Sequence, residues 1–398
     1  MKQLQLNNPY VGTGTGSSNG KWYKGSLHAH SDQAEMYPGS TFHDEDSPRD
    51  RGQVLADYEG AGYEFVMLAE QNKYTTSQEA KGLSTSKLTV IPGAELDGRR
   101  VDTEQHLSHV NPSDPAFHVE LDPKKPKVSL QEIFDLAKDD PVPPLVVQVH
   151  PQFPRMGDGR EKDILGSYGV DALEVVNSWW MQRPHAFEDS GGKYSPFAFH
   201  LWDRLLKESL TKAGKPVWGV AGCCSVKPGD VGKSWIRVWL DNNQSPTPDS
   251  LVKAIRKGRF YVSSVSAEAD PQGPAGRKNP TVSPGVTIEK IETNGKGVTI
   301  ETDAERVYAI VDGGPRLTVE TRGKSPTNPA PGKTAIFETF TFPDAVRFPD
   351  AKSIRFECVA ADKKHDNWDQ SYEWDNSQKL NRSWTQPLWV PKVTTQGS

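Results

Sequence analysis

The sequence predicts an α/β protein: a parallel sheet or barrel of short strands and intervening helices, followed by a small antiparallel β-sandwich. Three observations carry this. Between residues 21 and 268, short, continuously apolar runs alternate with helical stretches, the pattern of strands buried on both faces by crossover helices. Residues 269–284 are rich in Pro and Gly, and beyond them apolar and polar residues alternate, as in half-buried antiparallel strands. Polar residues collect just past the apolar runs, where α/β folds build their sites. The expected organisation is a flexible N-terminal arm (1–20), an α/β barrel (21–268), a linker (269–284) and a sandwich (285–398).

The elements follow in order. The arm ends in Gly12-Thr13-Gly14-Thr15-Gly16-Ser17-Ser18-Asn19-Gly20, a loop-forming composition. Gly25-Ser26-Leu27-His28-Ala29-His30 reads as a short buried strand, and a polar loop runs from Asp32 to Asp46. A helix fits Arg49 to Glu59, with Val54, Leu55 and Tyr58 on one face and Gly60 and Gly62 closing it. Strand-length apolar runs follow at Phe65 to Ala69, Leu88 to Ile91, Pro144 to Val149, Ala172 to Asn177 and Val217 to Ala221. Further helices fit Ser129 to Lys138, Pro196 to Lys212 and Pro248 to Lys257. In the sandwich, Val286 to Glu292, Gly297 to Thr302 and Ser353 to Cys358 read as strands.

At 398 residues with 35% hydrophobic content, the chain is expected to be soluble, and it holds no apolar run of membrane-spanning length. A net charge of −5 without a basic stripe argues against a nucleic-acid partner. Three cysteines, two of them adjacent, make no disulfide framework. The opening residues Met1 to Pro9 carry no hydrophobic signal region, which fits a cytoplasmic protein or a secreted or periplasmic one whose signal has been replaced by an initiator Met. Eleven tryptophans suit a small-molecule or carbohydrate substrate, although core packing is the commoner use of Trp.

His28 and His30 sit two apart, so on a strand both imidazoles face one side and make a half-site for a divalent metal. An isolated His-x-His is as often a core histidine beside an exposed one. A series at successive strand ends shifts that balance, because strand ends converge in space: His28, His30, Glu70, Glu95, His150, Glu174 and Cys224. Arg155, Arg183 and Lys227 fall in loops at the same end, where each can pair with an anionic substrate or remain a solvated charge. Trp179 follows a strand end and either stacks on a ring-bearing substrate or packs in the core.

These motifs resemble the PHP (polymerase and histidinol phosphatase) superfamily, and within it the CehA/McbA-type metallohydrolases. Leu27-His28-Ala29-His30-Ser31 resembles the opening His-x-His motif, Ala69-Glu70-Gln71-Asn72 stands where the family has Thr-Asp-His-Asn, and Pro92-Gly93-Ala94-Glu95 resembles Pro-Gly-x-Glu. Ser108-His109-Val110-Asn111 and Val149-His150-Pro151 resemble Gly-His-Val-Asn and the His-Pro motif. The resemblance implies a distorted (β/α)7 barrel with a metal cluster at the strands' C-terminal mouth, hydrolysing phosphoesters or other esters with a metal-activated water. The chain departs from the pattern at three places: Gln71 replaces a histidine, Cys224 stands in place of a late Asp, and Val226 replaces a late His. A trinuclear site is therefore incomplete.

Two outcomes stay open. In one, the remnant holds a single Zn, Mn or Fe ion through His28, His30, Glu95 and His150, with Cys224 biasing it toward Zn. In the other, no metal binds and crowded neutral imidazoles act as bases. The first-choice expectation is a metal-assisted hydrolase with His109 and Glu70 as acid–base groups and Asn72, Gln71, Arg155, Trp179 and Lys227 on the substrate. The alternatives are a polysaccharide lyase, with His109, His150, Tyr74, Arg155 and Lys227 available for β-elimination, and a non-catalytic binder.

Overall fold

The structure of the chain, a computed structural model, describes residues 6–13, 20–33, 49–96, 107–111, 144–151, 170–178, 198–223, 231–265, 285–293, 297–319, 338–342, 351–360 and 381–390. Among the described residues the protein is mainly β, with eighteen strands and four helices.

The strands form three sheets. The largest has ten strands in the order β14-β13-β16-β17-β10-β9-β1-β2-β3, with β18 paired to β16. Its members are β1 (Gly20–Ala29), β2 (Phe65–Leu68), β3 (Thr89–Ile91), β9 (Ser234–Asp241), β10 (Phe260–Ser264), β13 (Arg306–Val311), β14 (Arg316–Val319), β16 (Ser353–Val359), β17 (Arg382–Thr385) and β18 (Leu388–Trp389). A five-stranded sheet joins β4 (Gly93–Leu96), β5 (Leu107–Val110), β6 (Leu145–Gln148), β7 (Ala172–Asn177) and β8 (Trp218–Gly222). A three-stranded sheet holds β11 (Ile288–Thr293), β12 (Val298–Thr302) and β15 (Glu338–Phe342).

This corrects the expected (β/α)7 barrel, which the described residues do not close. β1, β2 and β3 run parallel, as do β6, β7 and β8, but β4, β5 and β6 pair antiparallel and β9 returns antiparallel along β1. A continuously apolar run shows that a strand is buried on both faces; it does not show which way its neighbours run. β10 then pairs with β17, so one ladder continues from the His28 strand into strands expected in the sandwich.

The helices are α1 (Arg51–Gly60), α2 (Ser77–Leu83), α3 (Phe199–Lys212) and α4 (Pro248–Arg256). Their starts are set locally. Asp50 accepts from the Gln53 N–H at the start of α1, Thr76 and Glu79 form a capping box on α2, and Thr247 caps α4 ahead of Pro248. The helix expected over 129–138 lies outside the described residues, and no described helix is long and apolar enough to cross a membrane.

Residues 6–13 are fastened to the C-terminal strands. Asn7 bridges Trp389 through backbone bonds of 2.7 and 3.2 Å. The Tyr10 hydroxyl donates to Phe260 O at 2.7 Å and accepts from the Gln386 N–H at 2.5 Å. The Gln386 side-chain amide bonds both backbone groups of Gly219 in β8, at 2.8 and 2.9 Å. The arm (1–20) and linker (269–284) lie otherwise outside the described residues.

Candidate metal centre

Single backbone hydrogen bonds join the edges of the two larger sheets around His28. The Cys223 N–H, just past β8, donates to His28 O at 3.1 Å. On the other side the Asn72 N–H donates to Glu95 O at 2.6 Å and the Glu95 N–H to Glu70 O at 3.2 Å. Strand ends from both sheets thereby meet at one point.

Four buried side chains converge there. His28 lies in β1 and His30 just past its end; Glu95 is in β4 and His150 two residues past β6. Glu95 is the hub. Its Oε2 lies 3.1 Å from Nε2 of both His28 and His30, and its Oε1 lies 3.1 Å from His150 Nε2. The Nε2 atoms of His28 and His30 are 3.2 Å apart. His28, Glu95 and His150 offer ligand atoms all within 4.8 Å of one another, a group that can hold a metal ion.

The outer side of the cluster is anionic. Glu174, buried in β7, places Oε1 3.0 Å from His28 Nδ1. Its Oε2 accepts from the His150 backbone N–H at 2.7 Å and from Asn177 Nδ2 at 3.0 Å. Burial alone would raise the Glu174 carboxyl, but the adjacent His28 imidazole, followed by His150 and the Asn177 amide, outweighs it and holds the group below the ordinary glutamate value. On the β8 side there is no spare room: a Cβ on Gly222 would collide with Glu174 Oε1 and His28 Cβ.

Backbone geometry beside these strand ends is also unusual. Asn72, Asn111 and His150 have φ of +56°, +56° and +26°. Non-glycine residues seldom have positive φ, though Asn and His do so more often than most, and His150 is held there by the bond from its N–H to Glu174.

The structure sorts the sequence-derived residues. It brings together His28, His30, Glu95 and His150. Glu70 is engaged by other partners: Ser31 Oγ at 2.5 Å, the Ser31 N–H at 3.0 Å and Arg51 Nε at 3.3 Å. Gln71 and Asn72 are buried beside Glu95, Gln71 through a backbone bridge to it. The His109 backbone pairs with Ala94 in β4 and Val146 in β6. Arg155, Trp179, Lys227 and Cys224 lie outside the described residues. The sequence reading placed Glu174 at a strand end without giving it a role. The available signal was a lone carboxylate inside the apolar run Ala172-Leu173-Glu174-Val175-Val176.

No family model matches the sequence, and no curated protein matches it. Among solved structures, the chain is similar to the crystal structure of PsfC from Pseudomonas syringae PB-5123, at 12% identity and a TM-score of 0.36, over 59% of this chain and 88% of that one. That likeness is too loose to inform on fold or site.

Proposed function

We propose that the protein is a metal-assisted hydrolase of phosphoesters or other esters, working with a single Zn, Mn or Fe ion at the His28–Glu95–His150 group. The observation that carries this is the contact between His28 Nε2 and Glu95 Oε2 at 3.1 Å, with His28 Nδ1 facing a second carboxylate at 3.0 Å. A carboxylate accepts hydrogen bonds and does not donate them. In a neutral His28 the proton belongs on Nδ1, toward Glu174. Nε2 then presents a lone pair to Glu95, and a shared cation makes that contact favourable.

The spacing fits. Ligands at roughly 2.1 Å from a tetrahedral ion stand about 3.4 Å from one another, and one ligand atom each from His28, Glu95 and His150 lies within 4.8 Å of the others. Three protein ligands leave a position open for substrate or water, the arrangement of catalytic rather than structural sites. The reading rests on this donor set and not on the family resemblance, whose barrel the described residues do not form.

A divalent ion bound there supplies Lewis-acid polarisation of the ester and a nucleophilic water near neutral pH. His28, Glu95 and His150 would hold the ion. His30 Nε2, 3.1 Å from Glu95 Oε2, takes the proton of the attacking water and returns it to the leaving oxygen. The new bond forms from the water oxygen to phosphorus or the acyl carbon as the bond to the ester oxygen breaks. Tyr74, offered by the lyase alternative as a base, is buried, and burial pushes its hydroxyl well above the ordinary tyrosine value, which weighs against that chemistry.

The test is elemental analysis of the purified protein together with His28→Ala and His150→Ala, paired with hydrolysis of 4-nitrophenyl phosphate and 4-nitrophenyl acetate. About one equivalent of Zn, Mn or Fe, lost in both variants along with hydrolysis, is the expected result. A protein that contains no metal and takes none up on addition overturns the reading.

A further inference from the structure

A single carboxylate reaches two of the clustered histidines from the outer side. Glu174 contacts the His28 ring through Oε1 and the His150 main chain through Oε2, although these residues belong to different sheets. We propose that Glu174 is the positioning residue of the centre. It fixes which nitrogen of His28 faces Glu95, and it holds His150 in the left-handed backbone conformation that turns its ring toward the same point. The inference deepens the metal reading of the site and rests on it.

The geometry supports both halves. A neutral imidazole carries one N–H and can place it on either nitrogen. The 3.0 Å contact between Nδ1 and a carboxylate places it on Nδ1, leaving the Nε2 lone pair aimed inward. His150 has φ of +26°, and its N–H is the donor of the shortest bond that Glu174 accepts, at 2.7 Å. Removing the acceptor frees the main chain at a position whose positive φ is uncommon for any non-glycine residue.

Glu174 is itself fixed. It stands on a fully buried strand, accepts from His28, His150 and Asn177, and is closed in on one side by Gly222. Its charge matters as well. Glu174 and Glu95 together carry the two negative charges that balance a divalent ion.

The experiment compares the whole protein with Glu174→Gln and Asn177→Ala. Zn2+ affinity is read by competition with a chromophoric chelator, and ligand geometry by the visible spectrum of the Co2+-loaded protein. Glutamine keeps the size of the side chain but presents N–H groups where one oxygen accepted. With cooperative melting retained, Glu174→Gln is expected to bind Zn2+ about 10–100-fold more weakly and to give a shifted Co2+ spectrum, which a merely structural role would not produce. Wild-type Zn2+ affinity and an unchanged spectrum in Glu174→Gln overturn the proposal. If Glu174→Gln does not melt cooperatively, Asn177→Ala decides: several-fold weaker Zn2+ binding supports the proposal, and wild-type binding overturns it. A wild-type protein that takes up neither ion overturns the metal reading and this inference together, an outcome distinct from a variant that binds like wild type.

Discussion

Two buried clusters pair carboxylates with nitrogen cations or bases, and they are put together differently. Around Glu95 and Glu174 the partners are imidazoles. In the C-terminal strands they are guanidiniums. Arg355 grips Asp203 of α3 through two bonds of 2.7 Å, and Arg316 and Arg382 bond Glu357 at 2.7 to 3.1 Å. Burial alone would raise the Glu357 carboxyl, but Arg316, Arg382 and Arg355 outweigh it and hold it low. A guanidinium is charged at any physiological pH, has donors only, and matches a carboxylate edge to edge. The guanidiniums of such a cluster have no lone pair to offer a cation. An imidazole carries a lone pair as well as a donor, so a cluster of imidazoles and carboxylates has electron pairs to offer a cation. The arginine cluster joins elements; the histidine cluster can hold a cation.

The largest expected effect breaks the arginine side. Asp203→Ala leaves Arg355 buried without its carboxylate and should cost about 3–5 kcal/mol in urea unfolding, while Zn2+ affinity of the folded fraction stays at the wild-type value. An equal loss of Zn2+ affinity would show that the two clusters are one unit. The next breaks the histidine side: Glu95→Gln should weaken Zn2+ binding by more than about 100-fold in competition titrations, with a smaller shift in the urea midpoint of the metal-free protein. A third change sharpens the boundary between them. Gly222→Ala drives a methyl group into Glu174 and His28, so it should cost roughly 1–3 kcal/mol of stability and lower Zn2+ affinity, whereas a void-filling position would tolerate it.

The smallest effect concerns a buried cation solvated in a third way. Lys24 is buried in β1 with its amine donating to Ala61 O at 2.9 Å and lying 4.4 and 4.2 Å from the Tyr63 and Trp235 rings. Burial, helped by the Arg237 charge, lowers its pKa to about 7. Between about pH 7 and the ordinary lysine value the unfolded chain holds a proton that the folded one lacks, so stability rises with pH across that window; below it the full cost is present. Lys24→Met should flatten this rise, seen as a difference of a few degrees in melting temperature between pH 7 and 9.5. A wild-type melting temperature that does not rise relative to the variant would contradict it.

Much of the site was legible in the sequence, because the chemistry lies in residues that punctuate apolar runs. His28, His30, Glu95 and His150 each stand in or just past a short apolar strand, and the structure brings them together. The fold was less legible. Ala172–Asn177 and Pro248–Arg256 form the elements their patterns indicate, yet nothing in an apolar run reports the direction of its partner. The pairing of β1 with β9 therefore had no sequence signature, and it is this pairing that replaces the expected barrel with a long mixed sheet. Glu174 was hidden for a related reason: its role lies in two partners, 146 and 24 residues away in sequence.

The bond from the Gln386 N–H to the Tyr10 hydroxyl spans 376 residues. On a ribosome making about 5–20 residues per second, Tyr10 waits roughly 20–75 s for that partner. β1 waits a little over half as long for β9, its pairing partner from Asp241 back to Ile236, with one edge bare in a strand that carries Trp22, Tyr23 and Leu27. Birth is thus a hazardous period for this molecule. The strand that carries His28 and leads into His30 emerges early and is secured late, so the yield of folded protein should depend on what shields that edge during synthesis as much as on the stability of the finished fold.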